Sequence, residues 1–410
     1  MLDSKQRRIV QDIVSNKGTT RKRVLGISGT GKTFTIAKCV SSIVKTQPDA
    51  KILITYYNMS LQWKIIGELV KMDNFRDLPE EYYCTTKEAK VDCIKKGDLP
   101  NIFIVHKDLF LYHANPAKIS FDYIFIDEGQ DFGQDDIKKL ITYCRNTDSK
   151  LCFFADKRQR LYDYNQYVSQ EDAPENKVPS IKGCGFNGPW GELDTVHRAP
   201  GLIQQLAENY ASKVLSTYGG NGAPCNNFVD SAGEVFYTQD VDSRHLLKYI
   251  ELFLSNQKWD INKTALLLPD NNYVADAVAF FKHTHHTYEK ACENMNERDG
   301  REKLQNLRMD FCVIADGLKV STIESFKGLE IDNVIFYHNT IDGTSPLADK
   351  DLERCYVALS RATKRLLIID ADVCSPLSDI YGKYAVSSIP AFQAKRLKVR
   401  MQDDDDDIPW

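Results

Sequence analysis

Short runs of β-branched and aromatic residues recur along this chain, separated by longer amphipathic stretches. Runs at Lys51 to Tyr56, Asn101 to Val105, Tyr123 to Ile126 and Leu151 to Ala155 predict one series of strands. A second series is predicted at Thr264 to Leu268, Lys319 to Thr322, Asn333 to Tyr337 and Leu366 to Asp370. Asp135 to Cys144 and Pro200 to Leu215 carry helical periodicity between them. Strands that alternate with helices imply parallel sheets covered on both faces. Two such series imply an α/β protein of two domains. Gly/Pro/Asn-rich stretches at Gln170 to Gly191 and Gly219 to Asn227 predict surface loops. No internal repeat is visible. From Gln393 the chain turns basic (Lys395, Arg396, Lys398, Arg400) and then abruptly acidic, the signature of a disordered tail.

Composition narrows this picture without changing it. The 410 residues suit two or three domains at about 150 residues each, and a hydrophobic content of 42% is ample for buried cores. No apolar run reaches the roughly 18 residues that span a bilayer, and the N-terminus lacks a signal peptide's apolar stretch. A soluble, cytoplasmic protein without a membrane partner is expected. The 11 cysteines are odd in number and scattered, and no CxxC pair occurs, so reduced structural thiols are expected in place of disulfides or a zinc knuckle. His283, His285 and His286, with Cys292 nearby, lack a second ligand cluster and are expected to form a solvent-facing or loop group. Net charge is -4, but five of the negative charges are Asp403 to Asp407. The body of the chain is thus close to neutral, and a local cleft can hold nucleic acid without an overall basic charge.

The most specific chemistry lies near the N-terminus. Gly26-Ile27-Ser28-Gly29-Thr30-Gly31-Lys32-Thr33 fits G-x-x-x-x-G-K-[ST] in full, with a strand expected at Arg23 to Leu25 before it and a helix at Phe34 to Val44 after it. Glycines at those positions let backbone N–H groups face phosphates at a helix N-terminus that already favours anions. Lys32 would reach the β- and γ-phosphates of ATP, and Thr33 would ligate Mg²⁺. Phe121 to Glu128 reads as an apolar strand ending in adjacent acids. Asp127 at its tip would hold the Mg²⁺ through water, and Glu128 would take a proton from the attacking water.

These residues resemble the motifs of superfamily 1 helicases, specifically the UvrD/PcrA/Rep group. Asp127-Glu128-Gly129-Gln130-Asp131 looks like that family's D-E-x-Q-D signature, and further matches follow in the family's order from Gln6 to Arg361. Leu2 to Gln6 is similar to the segment whose Gln reads adenine. Ile54 to Asn58 resembles a strand-end motif that contacts nucleic-acid backbone, which implies roles for Thr55, Tyr57 and Asn58. Val105 to Phe110, with His106, looks like a degenerate form of the next contact motif. Ala155 to Tyr164 resembles G-D-x-x-Q-S-I-Y-G-W. That implies a γ-phosphate sensor at Gln159 and strand-facing aromatics at Tyr162 and Tyr164, where Tyr164 replaces the usual Trp. Leu193 to Arg198 is similar to L-x-x-N-Y-R, with His197 in place of Tyr. Val320 to Glu330 resembles T-x-H-x-x-K-G-L-E, with Glu324 in place of His. Here Thr322 is implied on the strand and Glu330 near the ribose. Tyr356 to Ala362 matches the last motif and implies, with Arg198, an arginine finger at Arg361.

The resemblance implies ATP held between two RecA-like domains with parallel sheets, at 1–192 and 193–392, followed by the tail at 393–410. It further implies 3′-to-5′ movement on single-stranded DNA in repair, replication or mobile-element defence. An RNA-directed motor, and an ATP-switched clamp or regulatory ATPase that binds a partner without unwinding, are the alternatives. The spacings from Asn58 to Asp127 and from Arg198 to Thr322 leave little room for inserts, so a near-minimal motor is expected, without a nuclease domain beyond Arg361. Unwinding is expected to need a partner or a remnant insert around Phe280 to Asp310. Asp403 to Trp410 looks like the acidic tip of bacterial single-stranded-DNA-binding proteins, which implies a docking tip for a protein partner; a merely solubilising tail is the alternative.

Overall fold

The computed structural model describes residues 2–15, 19–76, 85–156, 181, 183–197, 201–215, 233–239, 241, 243–288, 298–339, 349–371, 377–385 and 387–388. Expectations placed on Gln159, Tyr162, Tyr164, Arg198, Cys292, the Gly219 to Asn227 loop and the tail from Gln393 lie outside the described residues, as does most of the Gln170 to Gly191 loop. The chain divides into two compact units. One comprises Met1–Arg198, Ser212–Val229 and Gln305–Cys312, the other Ala199–Ala211, Asp230–Leu304 and Val313–Trp410.

In the first unit, β1 (Arg21–Gly26), β2 (Ile52–Tyr56), β3 (Ile102–His106), β4 (Tyr123–Ile126), β5 (Lys150–Ala155) and β6 (Gly191–Leu193) form a parallel sheet in the order β3-β2-β4-β5-β1-β6. Every residue of β2, β3, β4 and β5 is buried. That is why these strands read as continuous apolar runs and not as alternating ones: helices cover both faces of a parallel sheet. The helices are α1 (Ser4–Val14), α2 (Lys32–Thr46), α3 (Leu61–Val70), α4 (Lys87–Lys96), α5 (Lys107–His113) and α6 (Gln134–Ile141). β6 straddles residue 192, where the sequence places the change of domain, because it pairs with β1 from Val24↔Gly191 to Gly26↔Leu193. Helix α1 opens with a capping box, in which the Asp3 side chain accepts from Gln6 N–H and the Gln6 side chain accepts from Asp3 N–H. At its other end the Lys150 ammonium donates to Ile13 O at 2.8 Å and to Ser15 O. A cation on these last carbonyls complements the helix dipole and fastens α1 to the sheet.

The second unit holds α7 (Gly201–Tyr210), continued by a π turn over Ala211–Leu215. Its sheet has seven parallel strands in the order β13-β7-β12-β11-β8-β10-β9. These are β7 (Glu234–Gln239), β8 (Thr264–Leu268), β9 (Thr284–His286), β10 (Leu318–Thr322), β11 (Ile331–His338), β12 (Ala362–Asp370) and β13 (Ser387–Ser388). Helices α8 (Ser243–Gln257), α9 (Asn271–Phe280), α10 (Arg298–Asp310), α11 (Asp349–Leu359) and α12 (Ser378–Tyr384) complete the element order. The expected strand at Leu366 to Asp370 begins earlier, at Ala362. The histidine segment is a strand, not a loop: Leu318↔Thr284 to Val320↔His286 pair in register with β10. At the far ends of β11 and β12, His338 and Asp370 are register partners, and His338 Nδ1 lies 3.6 Å from Asp370 Oδ1. Two parallel sheets flanked by helices make the chain α/β, in keeping with two RecA-like domains. No helix among the described residues is long and apolar enough to cross a membrane.

Candidate nucleotide and nucleic-acid sites

The phosphate loop leaves β1 at Gly26 and enters α2 at Lys32. Gly29 and Gly31 have φ of 81° and 79°, a left-handed conformation that glycine adopts without strain. A Cβ on Gly26 would stand 2.4 Å from Thr30 Oγ1 and 3.0 Å from Leu193 Cβ, so this position is glycine for space. No side chain caps the start of α2. Its first N–H groups therefore face outward at the positive end of the helix dipole, the arrangement that binds anions. The Lys32 ammonium donates to Gly26 O at 2.9 Å and to Ile27 O at 3.4 Å, and pairs with Asp156 at 3.7 Å.

The acids come from the neighbouring strand ends. Asp127 directly follows β4, and its N–H donates to Thr55 O at 2.9 Å, which extends the pairing with β2 past the last strand residue. The Thr33 hydroxyl donates to Asp127 Oδ2 at 2.7 Å. Burial, then the neighbouring Glu128, pushes the Asp127 carboxyl above the usual carboxylate range; Lys64, Thr33 and Lys32 pull the other way. Glu128 is also buried, with φ of 52°, a strained backbone conformation for a residue with a side chain. Gln130 Nε2 donates to Glu128 Oε2 at 2.5 Å, and Gln130 Oε1 accepts from Asp156 N–H at 2.9 Å. Gly129 leaves room for the Phe153 ring, whose Cε2 would stand 2.6 Å from a Cβ there. Two buried carboxylates beside a hydroxyl and an ammonium, at the C-terminal ends of parallel strands, suit a phosphate group with its divalent cation.

Sequence reasoning named Lys32, Thr33, Asp127 and Glu128, and the structure brings all four together. It also adds Gln130, Asp156 and His197. The His197 N–H donates to Gly29 O at 2.9 Å, and its ring Nε2 lies 2.7 Å from Asp3 Oδ2. Gln6, expected beside adenine, is 1% exposed, and its Nε2 donates to Thr30 O at 3.1 Å.

The nucleic-acid candidates of the first unit collect at the ends of β2 and β3, where Tyr56 and His106 are register partners. Thr55 is fully buried, and no described group hydrogen-bonds its hydroxyl. Asn58 holds the turn into α3, its O accepting from Leu61 N–H at 2.9 Å and its Oδ1 from Ser60 N–H at 3.3 Å. Tyr57 is partly buried, with its ring centroid 6.0 Å from that of His106 and 5.1 Å from the Lys107 ammonium. His106 caps α5 through Nδ1, which accepts from Asp108 N–H at 3.3 Å. Burial lowers its pKa to about 4, so the ring is neutral. Lys107 stays charged in a buried position by pairing with Asp108 and Asp136, each at 2.9 Å.

In the second unit, Thr322 ends β10 and its hydroxyl donates to Ser325 Oγ at 3.1 Å. Glu324, standing where the resembling family has His, forms an ion pair with Arg354. Glu330 lies just before β11 and is partly buried. Arg361, implied as a projecting finger, is instead 1% exposed. Its guanidinium donates to Val357 O at 2.8 Å, Ser360 Oγ at 2.7 Å and Leu329 O at 3.3 Å. The reason is local: Arg361 lies just beyond the C-terminus of α11, where unpaired carbonyls and the negative end of the dipole attract a cation.

Residues 254–370 match the family model of the viral superfamily 1 RNA helicase core domain. That span includes Thr322, Glu324, Glu330 and Arg361. No curated protein matches the sequence. Among solved structures, the chain is similar to an arterivirus nonstructural protein 10 (helicase) in complex with DNA, at 14% identity and a TM-score of 0.42, over 92% of this chain. This chain spans 65% of that protein's length. Residues 254–370 thus carry a superfamily 1 helicase core domain, a domain of enzymes that hydrolyse nucleoside triphosphates.

Proposed function

We propose that the chain is an ATP-driven motor that moves on single-stranded nucleic acid in the cytoplasm. The observation that carries this reading is the 2.7 Å bond between Thr33 and Asp127. It couples the start of the phosphate-loop helix to the acidic strand end, with Lys32 and Glu128 beside it. Thr33 and Asp127 would hold Mg²⁺, and the raised proton affinity of Asp127 fits a carboxyl that a cation normally neutralises. When bound, Mg²⁺ supplies charge neutralisation at the β- and γ-phosphates. Lys32 and the N–H groups of α2 orient those phosphates. Glu128, held by Gln130, accepts the proton of the attacking water. Gln159, Arg198 and Arg361 belong to this reading as the γ-phosphate sensor and the arginine fingers, with Glu330 at the ribose. Tyr57, Asn58, His106, Tyr162, Tyr164 and Thr322 belong to it as the strand contacts.

The finer reading is a UvrD/PcrA/Rep-like translocase that moves 3′ to 5′ on DNA, with Asp403 to Trp410 as a docking tip for a repair or replication partner. The match of residues 254–370 to a viral RNA helicase model supports a second reading, in which the tracked strand is RNA. Steady-state hydrolysis with and without single-stranded DNA and RNA separates the two. Stimulation by one polymer identifies the track, and stimulation by neither removes the motor reading. Strand displacement on duplexes with 3′ or 5′ tails then reads direction.

A further inference from the structure

Gln6 sits where the resembling family reads the adenine base, yet its amide faces the phosphate loop. Only 1% of its surface is exposed. Nε2 donates to Thr30 O at 3.1 Å, Oε1 accepts from Asp3 N–H at 3.1 Å, and the Gln6 N–H donates to Asp3 Oδ1 at 2.7 Å. Gly31 makes room for this contact, because a Cβ there would stand 2.7 Å from Nε2. A second arm reaches the same loop: the His197 N–H holds Gly29 O at 2.9 Å, and the His197 ring pairs with Asp3 at 2.7 Å.

We propose that Gln6 is a positioning residue for the phosphates and does not select the base, acting with Asp3 and His197 as a bracket on the Gly29 and Thr30 carbonyls. In a trans peptide the C=O of one residue and the N–H of the next point in opposite directions. Holding Thr30 O from outside the loop therefore directs Gly31 N–H the other way, toward the phosphate side. Holding Gly29 O fixes the preceding peptide plane. The loop is thus set before nucleotide arrives, which spares the ordering cost at binding. This inference rests on the proposed nucleotide hydrolysis and deepens it: the substrate is recognised by its triphosphate, whatever its base.

The test compares ATP, GTP and inorganic tripolyphosphate on the full chain, as Kd by calorimetry and as kcat and KM for hydrolysis. The wild-type protein is expected to bind and hydrolyse ATP and GTP equally well, within about threefold. Gln6→Met removes both side-chain hydrogen bonds at similar length. Gln6→Glu keeps the acceptor toward Asp3 and removes the donor toward Thr30. Both are expected to weaken binding of all three ligands by the same factor, about 3- to 10-fold, the size of one or two lost hydrogen bonds. A wild-type preference for ATP that either variant erases, with tripolyphosphate binding unchanged, overturns the proposal. If the variants do not fold, wild-type protein with purine riboside triphosphate, which lacks the 6-amino group, still decides. Parity with ATP supports the bracket, and a loss specific to the missing amino group overturns it. Binding without hydrolysis of any triphosphate sinks the motor reading and leaves the Kd comparison to judge Gln6. Binding of none of the three overturns both.

Discussion

The Gln130 amide donates to the Glu128 carboxylate at 2.5 Å while accepting from the Asp156 N–H at 2.9 Å. One side chain thus ties the end of β4 to the end of β5 and aims the acid between them. Glu128 needs such support because its own backbone is strained at φ 52°. Replacing Glu128 with Gln is expected to lower kcat for ATP hydrolysis by about 10²–10⁴-fold, the usual share of a general base. Gln130→Met leaves the acid in place but unaimed, and kcat is expected to fall by about tenfold or more. Steady-state hydrolysis beside separately measured nucleotide affinity checks both. Loss of affinity without loss of kcat in either variant would sink the assignment.

How much of this was legible in the sequence follows from how local each feature is. The phosphate loop is one continuous motif, so Lys32 and Thr33 could be placed from spacing alone. Strands β2 to β5 were legible because a sheet covered on both faces demands unbroken apolar runs. Gln130 lay inside a recognised motif, but its hold on Asp156 depends on β4 and β5 being neighbours, which no linear spacing reveals. His197 read as a departure from a family pattern, and only the pairing of β6 with β1 shows it reaching Gly29 and Asp3. Strands β6 and β9, at three residues each, are too short to show a period of two. Arg361 kept its motif, but the motif carries no sign that the end of α11 will bind its guanidinium.

Gly129 gives a second prediction. The space a Cβ would need is already filled by the Phe153 ring. Gly129→Ala is expected to destabilise the first unit by about 1–3 kcal/mol, as overpacking does, and to displace Glu128. Adding Phe153→Leu frees that space. The double variant is expected to regain part of both the unfolding midpoint and the ATPase activity lost by Gly129→Ala. Additive losses in the double variant would show that the clash is not the cause.

Two buried histidines give the two units opposite pH dependence. Burial holds His106 neutral down to about pH 4. An unfolded chain protonates it below about 6.5, so its contribution is present above that value and is lost as pH falls toward 4. Burial also opposes charge on His338, but the Cys355 sulfur and the Asp370 carboxylate outweigh it and raise the pKa to about 10. The folded state then keeps a proton that the unfolded state releases. Its contribution is full below about pH 6.5 and is lost as pH rises toward 10. Hydrogen exchange read separately over β3 and β11 is expected to show protection falling toward acid in the first and toward alkali in the second. His106→Asn and His338→Asn should each flatten only their own slope.

Arg361 donates to Val357, Ser360 and Leu329. Arg361→Met leaves buried carbonyls without that donor, and each charge-assisted bond lost is worth about 1.5–3 kcal/mol. A lower denaturant midpoint for the second unit is expected. Arg361→Lys keeps the charge but loses the planar fork, so its midpoint should fall less. The proposed finger role predicts that hydrolysis in Arg361→Lys nevertheless drops by about 10³-fold or more. A folded Arg361→Lys with near-normal hydrolysis would confine this residue to capping α11.

Tyr57 offers the sharpest check on the strand track. Its ring lies beside His106 and the Lys107 ammonium at the joint ends of β2 and β3. Lys107 is already neutralised by Asp108 and Asp136, so the pair offers an aromatic face more than a free charge. Stacking of a base on such a face is worth about 1–3 kcal/mol, with little preference among bases. Tyr57→Ala is therefore expected to weaken single-strand binding by about 5- to 150-fold, similarly for poly-U and poly-A. The salt dependence of binding should keep its slope, because no phosphate contact is removed. Tyr57→Phe, which retains the face, should bind nearly as the wild type does. A reduced salt slope in Tyr57→Ala, or an equal loss in Tyr57→Phe, would assign the residue to backbone contact through its hydroxyl and remove the stacking role.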